Sequence, residues 1–124
     1  MDRQNLDPIE VTIDGKKHTK YVLSDKCTGK GADYTCPQGG RGYIHNTPDY
    51  DISNPDFFKM NLMGAQIEFD VDMSQADCGT VNTFYTVTIP ATTAEGLHAE
   101  DGFYYCDSIA GRWGGQYCPE LDIM

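Results

Sequence analysis

Long apolar runs are missing from this chain, and so is any window with a sustained helical period, which sets aside helical bundles and membrane-spanning helices. Basic charge is scarce. Nine Lys and Arg stand against nineteen Asp and Glu, a formal net charge of −10 at pH 7, so nucleic acid and anionic membrane are poor partners. A neutral polysaccharide is indifferent to that charge. No Cys-x-x-Cys pair occurs, and His18, His45 and His98 do not stand at ligand spacing, so neither a metal site nor a cofactor is expected. Met1-Asp2-Arg3-Gln4 opens no apolar core of a secretory signal; a secreted protein with this sequence would already have lost one.

What is present favours strands and loops. A chain of 124 residues holds one domain with a real core and is short for two. Thirteen glycines, six prolines and eight tyrosines, without helical periodicity, point to the all-β class. Five cysteines, Cys27, Cys36, Cys78, Cys106 and Cys118, are many for a small cytosolic protein and ordinary for an extracellular one. Pairing Cys27 with Cys36 and Cys106 with Cys118 would close two short loops, each stabilising by roughly 2–3 kcal/mol. Cys78 is then left over.

Ile9 to Ile13 alternates, Asp14-Gly15 supplies a tight turn, and Tyr21-Val22-Leu23 returns, which predicts a hairpin. Ser24 to Gly42 reads as a loop stapled by a disulfide, and Arg41-Gly42-Tyr43-Ile44 as the start of a strand. Residues 47–55 form a turn-rich connection. The strongest alternation runs from Gln66 to Met73, with Ile67, Phe69, Val71 and Met73 on one face and Glu68, Asp70 and Asp72 on the other; it predicts a half-buried strand. A second strand is expected over Asn82 to Ile89, ended by Pro90. His45 and His98 read as surface loop residues.

Pro119-Glu120-Leu121-Asp122-Ile123-Met124 carries the chemistry. Successive side chains on a strand alternate, so Glu120, Asp122 and Met124 share one face, a cleft wall, while Leu121 and Ile123 take the other, a core face. Retaining glycosidases need a carboxylate nucleophile and a second carboxyl group as acid/base about 5 Å apart. Glu120 is a candidate nucleophile and Asp122 a neighbouring acid that tunes it. An ordinary strand end with two solvated acids has the same pattern.

Four runs in order then point one way. Ile67-Glu68-Phe69-Asp70-Val71-Asp72-Met73-Ser74, followed by Cys78-Gly79 and Phe84-Tyr85, resembles the "FDVDVS … CG … aromatic strand" of glycoside hydrolase family 7, the cellobiohydrolases and endoglucanases. Tyr105-Cys106-Asp107-Ser108 resembles that family's "YCDS", and Cys118-x-Glu120-x-Asp122-Ile123 its "C-x-E-x-D-I". The resemblance runs from about Arg41 to Met124. It implies a concanavalin A-like β-sandwich, or jelly roll, here its N-terminal part: one domain over residues 1–124, truncated relative to the family. It implies a secreted β-1,4-glucanase that cleaves cellulose with retention, with Glu120 as nucleophile and Asp122 beside it.

The family pattern continues E-x-D-x-x-E, so its acid/base glutamate would fall one residue beyond Met124, and the extra residue in that spacing predicts a bulge. By resemblance, Arg41, Tyr43, Tyr85, Tyr105 and Asp107 are substrate contacts, Cys106 pairs with Cys118, and the partner of Cys78 lies far downstream. Two departures stand out: the family's asparagine after "CG" is Val81, with Asn82 next to it, and Trp113 is the only tryptophan. The alternatives are a non-catalytic glucan-binding or structural protein on the same fold, and a laminarinase-like enzyme of family 16, which has a similar E-x-D-I-M-E run. A cut sandwich would leave an apolar sheet face open and prone to self-association.

Overall fold

The local chemistry of Asp14-Gly15 sets the first element of the fold. Both residues have positive φ, 50° and 75°, the conformation that lets a two-residue turn match the twist of its strands. In the computed structural model, which describes residues 6–51, 54–88, 108–109 and 117–124, this turn joins β1 (Asp7–Ile13) to β2 (Lys16–Ser24). The predicted hairpin is present, in antiparallel register from Asp7 opposite Val22 to Ile13 opposite Lys16. β3 (Thr28–Lys30) and β4 (Asp33–Thr35) form a second, smaller hairpin. β5 (Gly42–His45) then adds to β2, giving the order β1-β2-β5. The described structure is all-β, and no helix occurs among the described residues.

The residues fall into two units, one built from Met1–Tyr50 and Asp56–Thr80, the other from Asp51–Pro55 and Val81–Met124. The first holds the three-stranded sheet, and register shows what each face does. Ile9, Val22 and Ile44 share a face, because Ile44 stands opposite Val22 and Asp7, two residues before Ile9, does the same from β1. They pack with Cys27 and Val11 into the core cluster. The β3–β4 hairpin covers this face. Gly29 is seated directly on Ile9 and Val22, its N–H donating to Asp7 Oδ2 at 3.1 Å. The Cys27–Cys36 disulfide ties off the open end of that hairpin, as the spacing of the two cysteines predicts. The expected loop over Ser24 to Gly42 is thus partly strand.

Tyr21, Leu23, Tyr43 and His45 line the opposite face of the sheet. His45 is 1 % exposed, a correction to its reading as a surface residue. Its Nε2 accepts the Asp56 N–H at 2.8 Å, so the ring proton sits on Nδ1 and is donated to the Thr47 carbonyl, also at 2.8 Å. Phe57 bridges to His45 on the free edge of β5, and the Phe57 ring meets the imidazole edge-on at 6.1 Å. Lys20 on the other face donates to Asn46 Oδ1 at 2.7 Å with its ammonium 4.7 Å from the Phe58 ring centroid. The segment after β5 is thereby fastened on both sides of the sheet.

Gln66 to Met73 is not a hydrogen-bonded strand, which corrects the strongest periodic expectation. Phe69, Val71 and Met73 are 43, 48 and 50 % exposed. Alternation describes how a segment would divide its faces; it provides no neighbouring strand and no sheet to cover the apolar side. Asp72 instead caps the turn that follows, accepting the Ser74 N–H at 2.9 Å. That bond, with one from the Ser74 hydroxyl, holds the Asp72 carboxyl below the usual carboxylate range. Of the predicted strand over Asn82 to Ile89, Tyr85–Val87 forms β6, and Ile89 lies outside the described residues.

Candidate functional site

β6 and β7 (Glu120–Asp122) make an antiparallel ladder in the second unit. Tyr85 stands opposite Asp122, Thr86 opposite Leu121 and Val87 opposite Glu120. Directly opposed residues point to the same face and residues two apart on one strand do likewise. Glu120, Asp122, Tyr85 and Val87 therefore share a single face, with Thr86 and Leu121 on the other. Two strands that are 33 residues apart in sequence, Val87 to Glu120, bring three of the predicted site residues together.

The flanking bonds fix which pairs are closest. Thr88 donates its N–H to the Pro119 carbonyl at 2.9 Å, while Phe84 and Met124 exchange N–H···O bonds of 3.1 and 3.0 Å. Hydrogen-bonded and non-hydrogen-bonded pairs alternate along an antiparallel ladder, so Val87–Glu120 and Tyr85–Asp122 are non-hydrogen-bonded pairs, the kind in which side chains approach most closely. Pro119 costs the ladder nothing, since a strand's first residue need not donate. Behind it Cys118 is buried and disulfide-bonded; its expected partner, Cys106, lies outside the described residues.

Beyond Asp122 the alternation breaks. Ile123 and Met124 both donate to the Phe84 carbonyl, at 2.9 and 3.0 Å, so two residues of one strand oppose one of its neighbour. That is a β-bulge. Met124 consequently does not continue the face of Glu120 and Asp122, which corrects the simple alternating expectation. Past such a bulge the third position after Asp122 returns to the carboxylate face, which is the spacing that E-x-D-x-x-E requires. The opposite side of β7, expected to face a core, is open: Leu121 is 57 % exposed.

Glu120 is half-buried and its Oε1 accepts the Ser108 hydroxyl at 2.8 Å. The donor holds one carboxylate oxygen, and no described residue hydrogen-bonds to the other. The sequence reading passed over Ser108 as a site residue, although it is the last residue of the Tyr105-Cys106-Asp107-Ser108 run that carried part of the resemblance. Tyr105 and Asp107 themselves lie outside the described residues. Arg41 and Tyr43 belong to the other unit. Arg41 is exposed at the entry to β5, its carbonyl accepting the Ser24 hydroxyl at 2.5 Å. The Tyr43 ring lies 5.7 Å from that of Phe57, tilted by 52°. Cys78 is free and exposed. Among the described residues no group of three His, Cys, Asp or Glu side chains is arranged to hold a metal ion.

Comparison with known proteins returned nothing: no family model, no curated protein and no solved structure matches this chain.

Proposed function

We propose that this chain contributes the nucleophile side of a retaining glycosidase site acting on a β-1,4-glucan such as cellulose, on a concanavalin A-like sandwich and in an extracellular setting. The observation that carries the reading is the shared face of Glu120 and Asp122, with Tyr85 beside Asp122 and the Ser108 hydroxyl on Glu120. The four family-like runs in the sequence support it independently. In the proposed reaction the other oxygen of Glu120 attacks the anomeric carbon as the bond to the leaving oxygen breaks. A positioned acid delivers a proton to that leaving oxygen, and water later hydrolyses the glycosyl-enzyme.

Each residue then has a role its chemistry suits. Ser108 orients the nucleophile through one oxygen. Asp122, two residues along the same face, keeps a second negative charge beside it. Tyr85 offers a flat apolar ring on which a pyranose can stack, with a hydroxyl at its edge for a sugar oxygen.

Incubation with 2,4-dinitrophenyl 2-deoxy-2-fluoro-β-cellobioside tests the reading. Its leaving group needs no protonation and its fluorine slows hydrolysis of the covalent intermediate. Peptide mass mapping should find the fluorocellobiosyl group on Glu120, and Glu120→Gln should abolish it. An unlabelled wild-type chain, or labelling that persists in Glu120→Gln, would remove the assignment.

A further inference from the structure

The residue facing Glu120 across the ladder is Val87, and nothing in the reaction as drawn gives it work. We infer that Val87 is a positioning residue: its branched side chain confines Glu120 to the rotamer in which one oxygen meets Ser108 and the other is presented to the ligand. The inference rests on the proposed glycosidase reading for its consequence, though not for its geometry.

Three observations converge on this residue. The pair is of the non-hydrogen-bonded kind, as the bonds from Thr88 to Pro119 and between Phe84 and Met124 require, so their Cβ atoms stand at the close end of cross-strand distances. Glu120 is half-buried and tied at its tip by the Ser108 hydroxyl, which fixes an end of a three-torsion side chain, and a cross-strand neighbour can fix its base. Val87 is half-buried on the same face, and a β-branched residue has little χ1 freedom of its own, so it presents a stiff wall. Valine also offers no hydrogen-bonding atom to compete with Ser108 for the carboxylate.

The experiment uses the whole chain and two readouts. Three-bond couplings across the Cα–Cβ bond of Glu120 report its rotamer directly, and the rate of fluorocellobiosyl labelling reports the consequence. The wild-type chain should show one dominant χ1 for Glu120. Val87→Ala, and Val87→Leu as an apolar variant without the branch, should show averaged couplings, with amide exchange protection at Thr88 and Met124 retained. Val87→Ile should behave as wild type. Labelling in the Ala and Leu variants should fall roughly tenfold, in keeping with the sensitivity of reaction rates to small misplacements. Unchanged Glu120 couplings in both variants would overturn the inference. An unlabelled wild-type chain with couplings that do respond would overturn the glycosidase reading and leave Val87 as the residue that orders Glu120.

Discussion

A neutral histidine with both ring nitrogens committed is a demanding thing to bury, and His45 is placed so that its neighbours need it as much as it needs them. Replacing it with phenylalanine keeps the edge-on ring contacts with Tyr50 and Phe57 but strands the Asp56 N–H and the Thr47 carbonyl. A fully buried orphan costs about 1–3 kcal/mol; Thr47 and Asp56 are themselves exposed residues, so water offsets part of that here. His45→Phe should therefore lower the urea midpoint without changing the slope of the transition, and His45→Gln, which retains an acceptor, should lower it less. Equal midpoints for Phe and wild type would show that water satisfies both groups. Nothing in His45-Asn46-Thr47-Pro48 marks a buried residue; the flanking Asn, Thr and Pro look like a turn. Its burial comes from Phe57, twelve residues on, which only the fold brings back. Tyr34 is a second case of the same kind. Its hydroxyl end lies over Gly42, and burial there pushes the phenol up to about 12 even though the ring flank remains partly open. The folded value lies above the unfolded one, so the contribution of Tyr34 to stability is complete below pH 10 and is lost as pH rises from about 10 through 12. Alkaline absorbance titration should show late phenol ionisation that diminishes in Tyr34→Phe.

Elements were legible in proportion to how local their causes are. The β1–β2 hairpin was readable because a two-residue turn with positive φ and the alternation beside it are both written within a few positions. β6 and β7 were readable as strands, and the bulge at Ile123–Met124 from the resemblance, but their mutual register was not, because pairing Val87 with Glu120 closes a long loop. The β3–β4 hairpin was hidden inside a segment whose glycines and cysteines suggested only loop. Gly29 is the residue that makes this hairpin a lid over the core. A Cβ there would collide with Ile9 Cγ2 and stand 3.0 Å from Val22 Cγ2, both in the cluster that is most completely buried. Gly29→Ala must push the hairpin off its seat, at the roughly 1–3 kcal/mol typical of overpacking. Thermal unfolding should show the loss, and pairing it with Ile9→Leu, which takes away the Cγ2 methyl that the new Cβ meets, should recover part of it. Strictly additive losses in the double mutant would mean that Gly29 matters for its backbone and not for its fit.

For the whole molecule the decisive quantity is the apolar surface that the described fold leaves uncovered. Phe69, Val71 and Met73 are about half exposed in a segment with strand-like alternation that pairs with no described strand, and each would gain about half of the roughly 1.5–3 kcal/mol of full burial on being covered. Opposing this is the net charge of −10, which repels copies of the chain from one another at long range. The two effects respond differently to salt. Screening shortens electrostatic reach to about 8 Å at physiological ionic strength and to about 3 Å at 1 M, whereas apolar attraction is undiminished. The chain should therefore be largely monomeric in dilute buffer and associate as salt is added, the reverse of what an assembly held by ion pairs would do. Sedimentation velocity across a salt series, with a hydrophobic-dye titration alongside, distinguishes the cases. Val71→Lys places a charge in the middle of the exposed row and should suppress both the association and the dye signal. A monomer that binds no dye at any salt concentration would mean that Phe69, Val71 and Met73 are covered in solution, and that the segment from Gln66 to Met73 has found the partner strand its alternation calls for.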